Sequence, residues 1–318
     1  MKKKRRIKKQ VYFVLVFIVI VIIGINATIK HINYINSYEY KLGKIGYSQL
    51  EIKTLLKLTD KQKDKILDRK YNANIVPFAK QKYFIFKNLD RYIAYRKDNK
   101  SEKLSKIISL VNVSADFDWY DEDAIKDTDV SLKELMLVNK FYHLNEKYVP
   151  ENIENISATY AYDENSTTKE VFDAFKKMWQ KAKSEDINLI ITSSYRDYES
   201  QAKLWDNYAN NKGEEWADSF AARAGYSEHQ TGLALDIVTY NSTMDNFDDS
   251  PEAKWLKKNA YKYGFILRYP KGKEDITGYD YEPWHYRYVG IDAAKEIQNK
   301  GITYDEYYAY YIENKDTK

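Results

Sequence analysis

The stretch VYFVLVFIVIVIIGI, Val11 to Ile25, is apolar without a break and follows MKKKRRIKKQ. Continued through NATI it reaches nineteen residues, of which only Asn26 and Thr28 are polar. A helix that crosses a bilayer needs roughly 20 such residues. The basic cluster should stay in the cytoplasm, which puts the C-terminal bulk of the chain outside. Residues 1–29 therefore read as a cytoplasmic tail and a single-pass signal anchor. A cleaved signal peptide shares the same basic and apolar regions. No small-x-small cleavage site follows Ile25, and no cysteine is available for a lipid. The expectation is an uncleaved anchor, and on either reading the soluble part is exported.

The 318 residues leave ample length for one or two folded domains beyond the anchor. Seven basic residues lie in the first nine positions, and the rest of the chain is slightly acidic. Nothing in that balance points to nucleic acid. The absence of cysteine excludes disulfides, thiolate metal sites and a cysteine nucleophile.

Residues 30–40 read as a polar linker. From about 41 to 110 the pattern is helical and basic. Leu50, Ile52, Leu55, Leu56, Leu58 and Ile66 recur at three- and four-residue spacing, with Ser48 as an N-cap. LSKIISLVNV (104–113) fits a strand or a buried helix end. The whole of 30–134 is expected to be a mostly helical spacer, or a small wall-binding module. From 135 to 318 the pattern changes. TTKEVFDAFKKMWQKAKSED (167–186) is an amphipathic helix with Val171, Phe172, Phe175, Met178, Trp179 and Ala182 on one face. INLIITSSYR and LALDIVTY read as buried strands, and FILRYP and EPWHYRYVG as two more. Helices lie at 198–211 and 251–264, the latter closed by Gly264, and two more close the chain. This irregular alternation predicts an α+β fold, with a small antiparallel sheet flanked by helices.

Chemistry concentrates on that sheet. Of four histidines, His229 sits in SEHQTG and His285 in EPWH. Asp236 is flanked by Leu233, Leu235, Ile237 and Val238, an apolar setting that penalises a lone carboxylate by several kcal/mol. A divalent cation would satisfy it, and so would an Arg or Lys partner. Two imidazoles, one carboxylate and an open fourth position make a catalytic zinc pattern. Glu282, three residues before His285, can then act as general base on water. Glu228 either orients His229 or is solvated. Trp284 fills core or walls the site, and one face of Tyr286–Arg287–Tyr288 is a candidate lining of the cleft. His31 and His143 lack any such surroundings.

SSYRDYESQAKLW, GYSEHQTGLALDIV and GFILRYPKGKEDITGYDYEPWHYRYVG, in this order over residues 135–312, resemble the VanY-like D-alanyl-D-alanine carboxypeptidases. This group of zinc peptidases acts on peptidoglycan and includes L,D-carboxypeptidases and endopeptidases. The resemblance implies one Zn2+ per chain on His229, Asp236 and His285, with Glu282 as catalytic base. It implies Arg196 as the cation that binds substrate oxygens and stabilises the oxyanion. Gln201 and Ser227 become candidates for binding the terminal carboxylate, and Ser194 and Tyr195 are donors nearby. The substrate implied is a stem peptide ending in D-alanine, met on the wall side of the cell membrane. An L,D-carboxypeptidase, an endopeptidase or a non-catalytic wall-binding protein keeps the same site. The sequence leaves the oligomeric state unknown.

Overall fold

The computed structural model of the chain describes residues 9–162, 164–240 and 244–314. The basic cluster up to Lys8 lies outside the described residues. Contacts divide the chain into two compact units, one up to Ile93 and one from Ala94. The sequence division at 134/135 follows a change of pattern instead.

The first unit opens with α1, Lys9–Asn36, an unbroken helix whose stretch Gln10–Asn36 is long and apolar enough to cross a membrane. Four short helices follow: α2 (Tyr38–Ile45), α3 (Gln49–Leu55), α4 (Asp60–Leu67) and α5 (Ile75–Ala79). Their starts are written in the sequence. Ser37 caps α2, and Ser48 forms a capping box with Glu51, as Thr59 does with Gln62. Leu42, Ile52, Leu55, Ile66, Ile75, Val76 and Phe86 form the core of this unit. Two members of the expected apolar set behave otherwise. Leu50 is 71% exposed and Leu56 40%, because the helix breaks after Leu55 and its inward face is taken by Ile52 and Leu55.

The second unit takes in the second half of α6 (Leu89–Asp98), then α7 (Leu104–Asn112). The stretch that fitted either a strand or a helix end is thus helical. Two small strand pairs follow. Lys126–Asp127 (β1) runs parallel to Tyr142–His143 (β2), and Ile153–Asn155 (β3) runs antiparallel to Ser166–Thr168 (β4). The helix α8, Lys169–Lys183, buries Val171, Phe172, Phe175, Met178 and Ala182 against the sheet. Trp179 is partly buried and donates its indole N–H to the Leu189 carbonyl, 3.0 Å away.

The sheet has four strands: β5 (Ile190–Ser193), β6 (Ala234–Val238), β7 (Phe265–Leu267) and β8 (His285–Tyr288). Their order is β5-β6-β8-β7, antiparallel throughout. Between β5 and β6 run α9 (Tyr198–Lys212) and α10 (Glu214–Phe220), and α11 (Pro251–Asn259) precedes β7. Gly264 turns the chain into β7 at φ +90°, where a Cβ would sit 2.6 Å from the Tyr288 ring. A one-turn helix, α12 (Glu274–Thr277), joins β7 to β8, and α13 (Ile291–Lys300) and α14 (Tyr304–Tyr307) close the unit. The α+β reading with its small antiparallel sheet holds.

Candidate metal centre

The sheet brings the site together through strand register. Asp236 pairs directly with His285 across β6 and β8, and with Ser193 across β5 and β6. One row of side chains therefore crosses three strands on one face. His229 joins the row from a single 3-10 turn, Glu228–Thr231, which Ser227 caps and Gly232 closes at φ +66°. Glu282 arrives from the loop before β8, its N–H bonded to the Tyr269 carbonyl at 3.2 Å. One potential ligand atom from each of His229, Asp236 and His285 lies within 4.8 Å of the others.

The two imidazoles are fixed by groups that can only accept. His229 Nδ1 lies 2.6 Å from the Ser194 carbonyl, so it carries the hydrogen and leaves Nε2 as a lone pair. His285 Nε2 faces Glu228 Oε2 at 3.3 Å, which leaves Nδ1 as the nitrogen it can offer a cation once its proton is displaced. Both remaining nitrogens meet Asp236. His229 Nε2 is 3.5 Å from Oδ2, and His285 Nδ1 is 3.1 Å from Oδ1. Despite that approach, Asp236 Oδ1 is buried without an aligned hydrogen-bond donor. Lone pairs and an unsatisfied carboxylate oxygen converging on one point are what a bound cation requires.

The electrostatics agree. Burial alone would raise Asp236, but His229, His285 and Arg196 hold it down at about 2. Burial pushes His229 down to about 3. It works the same way on His285, where the adjoining carboxylates of Asp236 and Glu228 prevail and lift it to about 10, so that without a cation the ring is protonated on both nitrogens. Burial, helped by Asp236, Asp280 and Glu228, raises Glu282 to about 8. The site thus demands positive charge, which a proton or a metal ion can supply.

Arg196 leaves β5 beside this row. Its guanidinium donates to Gln201 Oε1 at 2.8 Å and to Ser193 Oγ at 2.7 Å. Gln201 in turn donates to the Ala222 carbonyl at 2.7 Å. Arg196, Gln201, Ser227, His229, Asp236, Glu282 and His285 all line one cleft of ≈ 160 Å³, with Tyr208, Phe220 and Trp284 as apolar wall. A larger groove of ≈ 1100 Å³, past Lys133, Tyr148 and Tyr263, holds none of these groups. Trp284 thus both packs on the core and walls the cleft.

Some candidates sit elsewhere. The Ser194 hydroxyl turns away, donating to Asn165 Oδ1 and accepting from the Ser166 N–H, and neither it nor Tyr195 lines the cleft. The hydroxyl that reaches Arg196 is that of Ser193, because β5 carries a register shift between Ile191 and Ser193. Tyr286 is wholly buried in the core, as is Arg287. Glu228 is neither solvated nor a partner of His229.

Glu228 anchors a buried charge chain. Its Oε1 accepts from Arg268 Nε at 2.7 Å and Arg287 Nη1 at 2.9 Å, while Oε2 takes His285. Arg268 forks onto Asp305 of α14 at 2.6 and 3.0 Å. Arg287 also donates to the Met136 and Glu134 carbonyls. All four side chains of this chain are essentially inaccessible to solvent.

With this geometry in view, the comparisons are specific. The profile of the VanY family, described as D-alanyl-D-alanine carboxypeptidase, matches residues 164–291. A bifunctional D-Ala-D-Ala dipeptidase and carboxypeptidase of Enterococcus gallinarum, VanXYC, is 34% identical over 55% of this chain and 94% of its own. The chain belongs to the VanY family. A putative carboxypeptidase of Bacillus subtilis, YodJ, is 45% identical over 55% of this VanY-family chain, and the match spans 66% of that relative, just under two thirds. The solved LdcB LD-carboxypeptidase is 40% identical, covers 61% of this chain and 96% of its own, and superposes with a TM-score of 0.56.

Removing one member of the buried chain should expose its role. Asp305→Ala leaves the Arg268 guanidinium short of a fully buried partner, which costs about 3–5 kcal/mol. Denaturant unfolding of the metal-free protein should show that loss. A change under about 1 kcal/mol would mean that the pair carries no net weight.

Proposed function

We propose that this protein is a membrane-anchored, exported zinc carboxypeptidase that removes the terminal D-alanine from peptidoglycan stem peptides. The convergence of His229 Nε2, His285 Nδ1 and Asp236 Oδ1 beside Glu282 and Arg196 carries this reading. His229, Asp236 and His285 would hold one Zn2+. When bound, the ion supplies Lewis-acid polarisation and makes water acidic enough to attack at neutral pH. A cation in the triad also favours ionised Glu282, offsetting the burial that raises its pKa.

The residues divide the remaining work. Glu282 takes the proton of the attacking water and passes it to the leaving amine. Arg196 is already held as a fork by Gln201 and Ser193, so its free edge meets the developing oxyanion without reorganisation. Gln201 therefore acts through Arg196. Its own amide is spent on Ala222. Ser227 caps the His229 turn and lines the cleft, where its hydroxyl can still donate to a substrate carboxylate. The basic tail orients α1 with its N-terminus in the cytoplasm and the second unit toward the wall.

The likeness to the LdcB LD-carboxypeptidase favours a second reading, in which the same residues cleave the D-alanine of a tetrapeptide stem. Defined pentapeptide and tetrapeptide stems separate the two. Loss of one alanine from the pentapeptide, stopped by a chelator, is the expected result. Loss from the tetrapeptide alone would move the enzyme to the L,D class.

Glu282→Gln should keep stoichiometric zinc and lose roughly 10²–10⁴ in kcat. Near wild-type turnover would refute its role as base. Because His285 holds a proton up to about pH 10 in the metal-free site, zinc must displace it. Zinc added near pH 8 should therefore release about one to two protons per chain, one from His285 and a fraction from Glu282, and zinc affinity should fall as pH is lowered. Calorimetry in buffers of different ionisation enthalpy reads both. A pH-independent affinity would place the ion elsewhere.

A further inference from the structure

Charge is divided sharply between the two units. Residues 38–93 carry thirteen Lys and Arg against six Asp and Glu, while residues 94–318 carry thirty against forty-one. The first unit is strongly basic and the second is strongly acidic. Within the first unit the acids are largely occupied. Asp60 pairs with Lys63, Asp90 with Arg69, Asp64 accepts from Tyr38, and Glu51 closes the box at Ser48. Apart from buried Lys63, the lysines stay outside. Lys41 and Lys44 of α2, Lys53 of α3, Lys57 one turn on, and Lys61 and Lys65 of α4 are all exposed.

Position adds to charge. The apolar stretch ends at Ile29, and α1 runs seven residues further, to Asn36, a rise of about 10 Å. Ser37 alone separates it from α2. If α1 spans the bilayer, α2 starts a few ångström above the headgroups, whose layer is roughly 5–7 Å deep on each side, within reach of a lysine side chain. Tyr34 and Tyr40, edge to face at 5.3 Å, sit where interfacial aromatics belong. On α3 the exposed Leu50 shares a face with Lys53, three residues on, and exposed Lys57 follows just past the end of the helix. An apolar side chain flanked by lysines on a solvent face is the pattern of a helix lying on a membrane surface.

We infer that residues 38–93 form a basic module that lies on the outer leaflet and grips anionic phospholipid headgroups, with Leu50 dipped among them. This rests on α1 being an uncleaved anchor. The partner chemistry is a lipid phosphate at a surface, where each lysine strengthens attachment about fivefold and salt weakens it.

The cysteine-free chain makes the test direct. The full chain carrying Leu50→Cys with a nitroxide label is placed in vesicles of phosphatidylcholine, with or without phosphatidylglycerol. Collision with lipid-soluble oxygen is compared with collision with a water-soluble nickel complex. Phosphatidylglycerol should raise the oxygen-to-nickel ratio several-fold, high salt should reverse it, and Lys53→Gln with Lys57→Gln should abolish most of it. Equal ratios in the two vesicles at low salt would overturn the proposal. So would a response to added polyglycerol phosphate but not to phosphatidylglycerol, which would assign the lysines to a wall polyanion. Alkaline extraction of the same vesicles tests the anchor separately. A chain that washes off refutes the span, while the lipid dependence of the label still decides the surface.

Discussion

Glu228 is the group on which the site depends. One carboxylate, with no access to solvent, is shared by Arg268, Arg287 and His285. Burying so many charges is expensive, and such arrays seldom stabilise a fold better than a well-packed apolar core would. What this array provides is direction. It fixes the hydrogen of His285 on Nε2, so the other nitrogen faces Asp236. It also ties a strand of the sheet, a turn before it and the last short helix to one point. Glu228 stays ionised there despite complete burial, because the two guanidinium groups outweigh the loss of water.

Much of the candidate metal row was legible in the sequence. Asp236 stands out because alternation and burial leave a carboxylate nowhere to go in an apolar strand. Histidine scarcity isolates His229 and His285, and the sheet class follows from four short runs rich in apolar and aromatic residues. Ser193 was not legible. The two serines before Tyr195 are chemically identical, and only the register shift in β5 turns the first toward Arg196 and the second toward Asn165. Arg287 misled for a related reason. In HYRY a strand arginine between tyrosines suggests an exposed face, yet its partners, Glu228 and the Met136 carbonyl, come from distant parts of the chain.

The first unit shows the same limit in another form. Its caps were readable, since Ser48 and Glu51 are local partners. Its core was only half readable. A six-residue apolar list implied one continuous stripe, but the chain breaks between α3 and α4 and leaves Leu50 facing solvent. Hydrophobic periodicity reports which residues can be buried, and the helix break decides which are.

The fork between Arg268 and Asp305 has a consequence for the order in which the protein is made. Synthesis runs from the N-terminus, so α14 is made after His229, Asp236 and His285. Until Asp305 arrives, Arg268 lacks its second carboxylate and the support behind Glu228 and His285 is incomplete. A chain truncated before Asp305 would keep His229, Asp236 and His285 but lose part of the support that orients them.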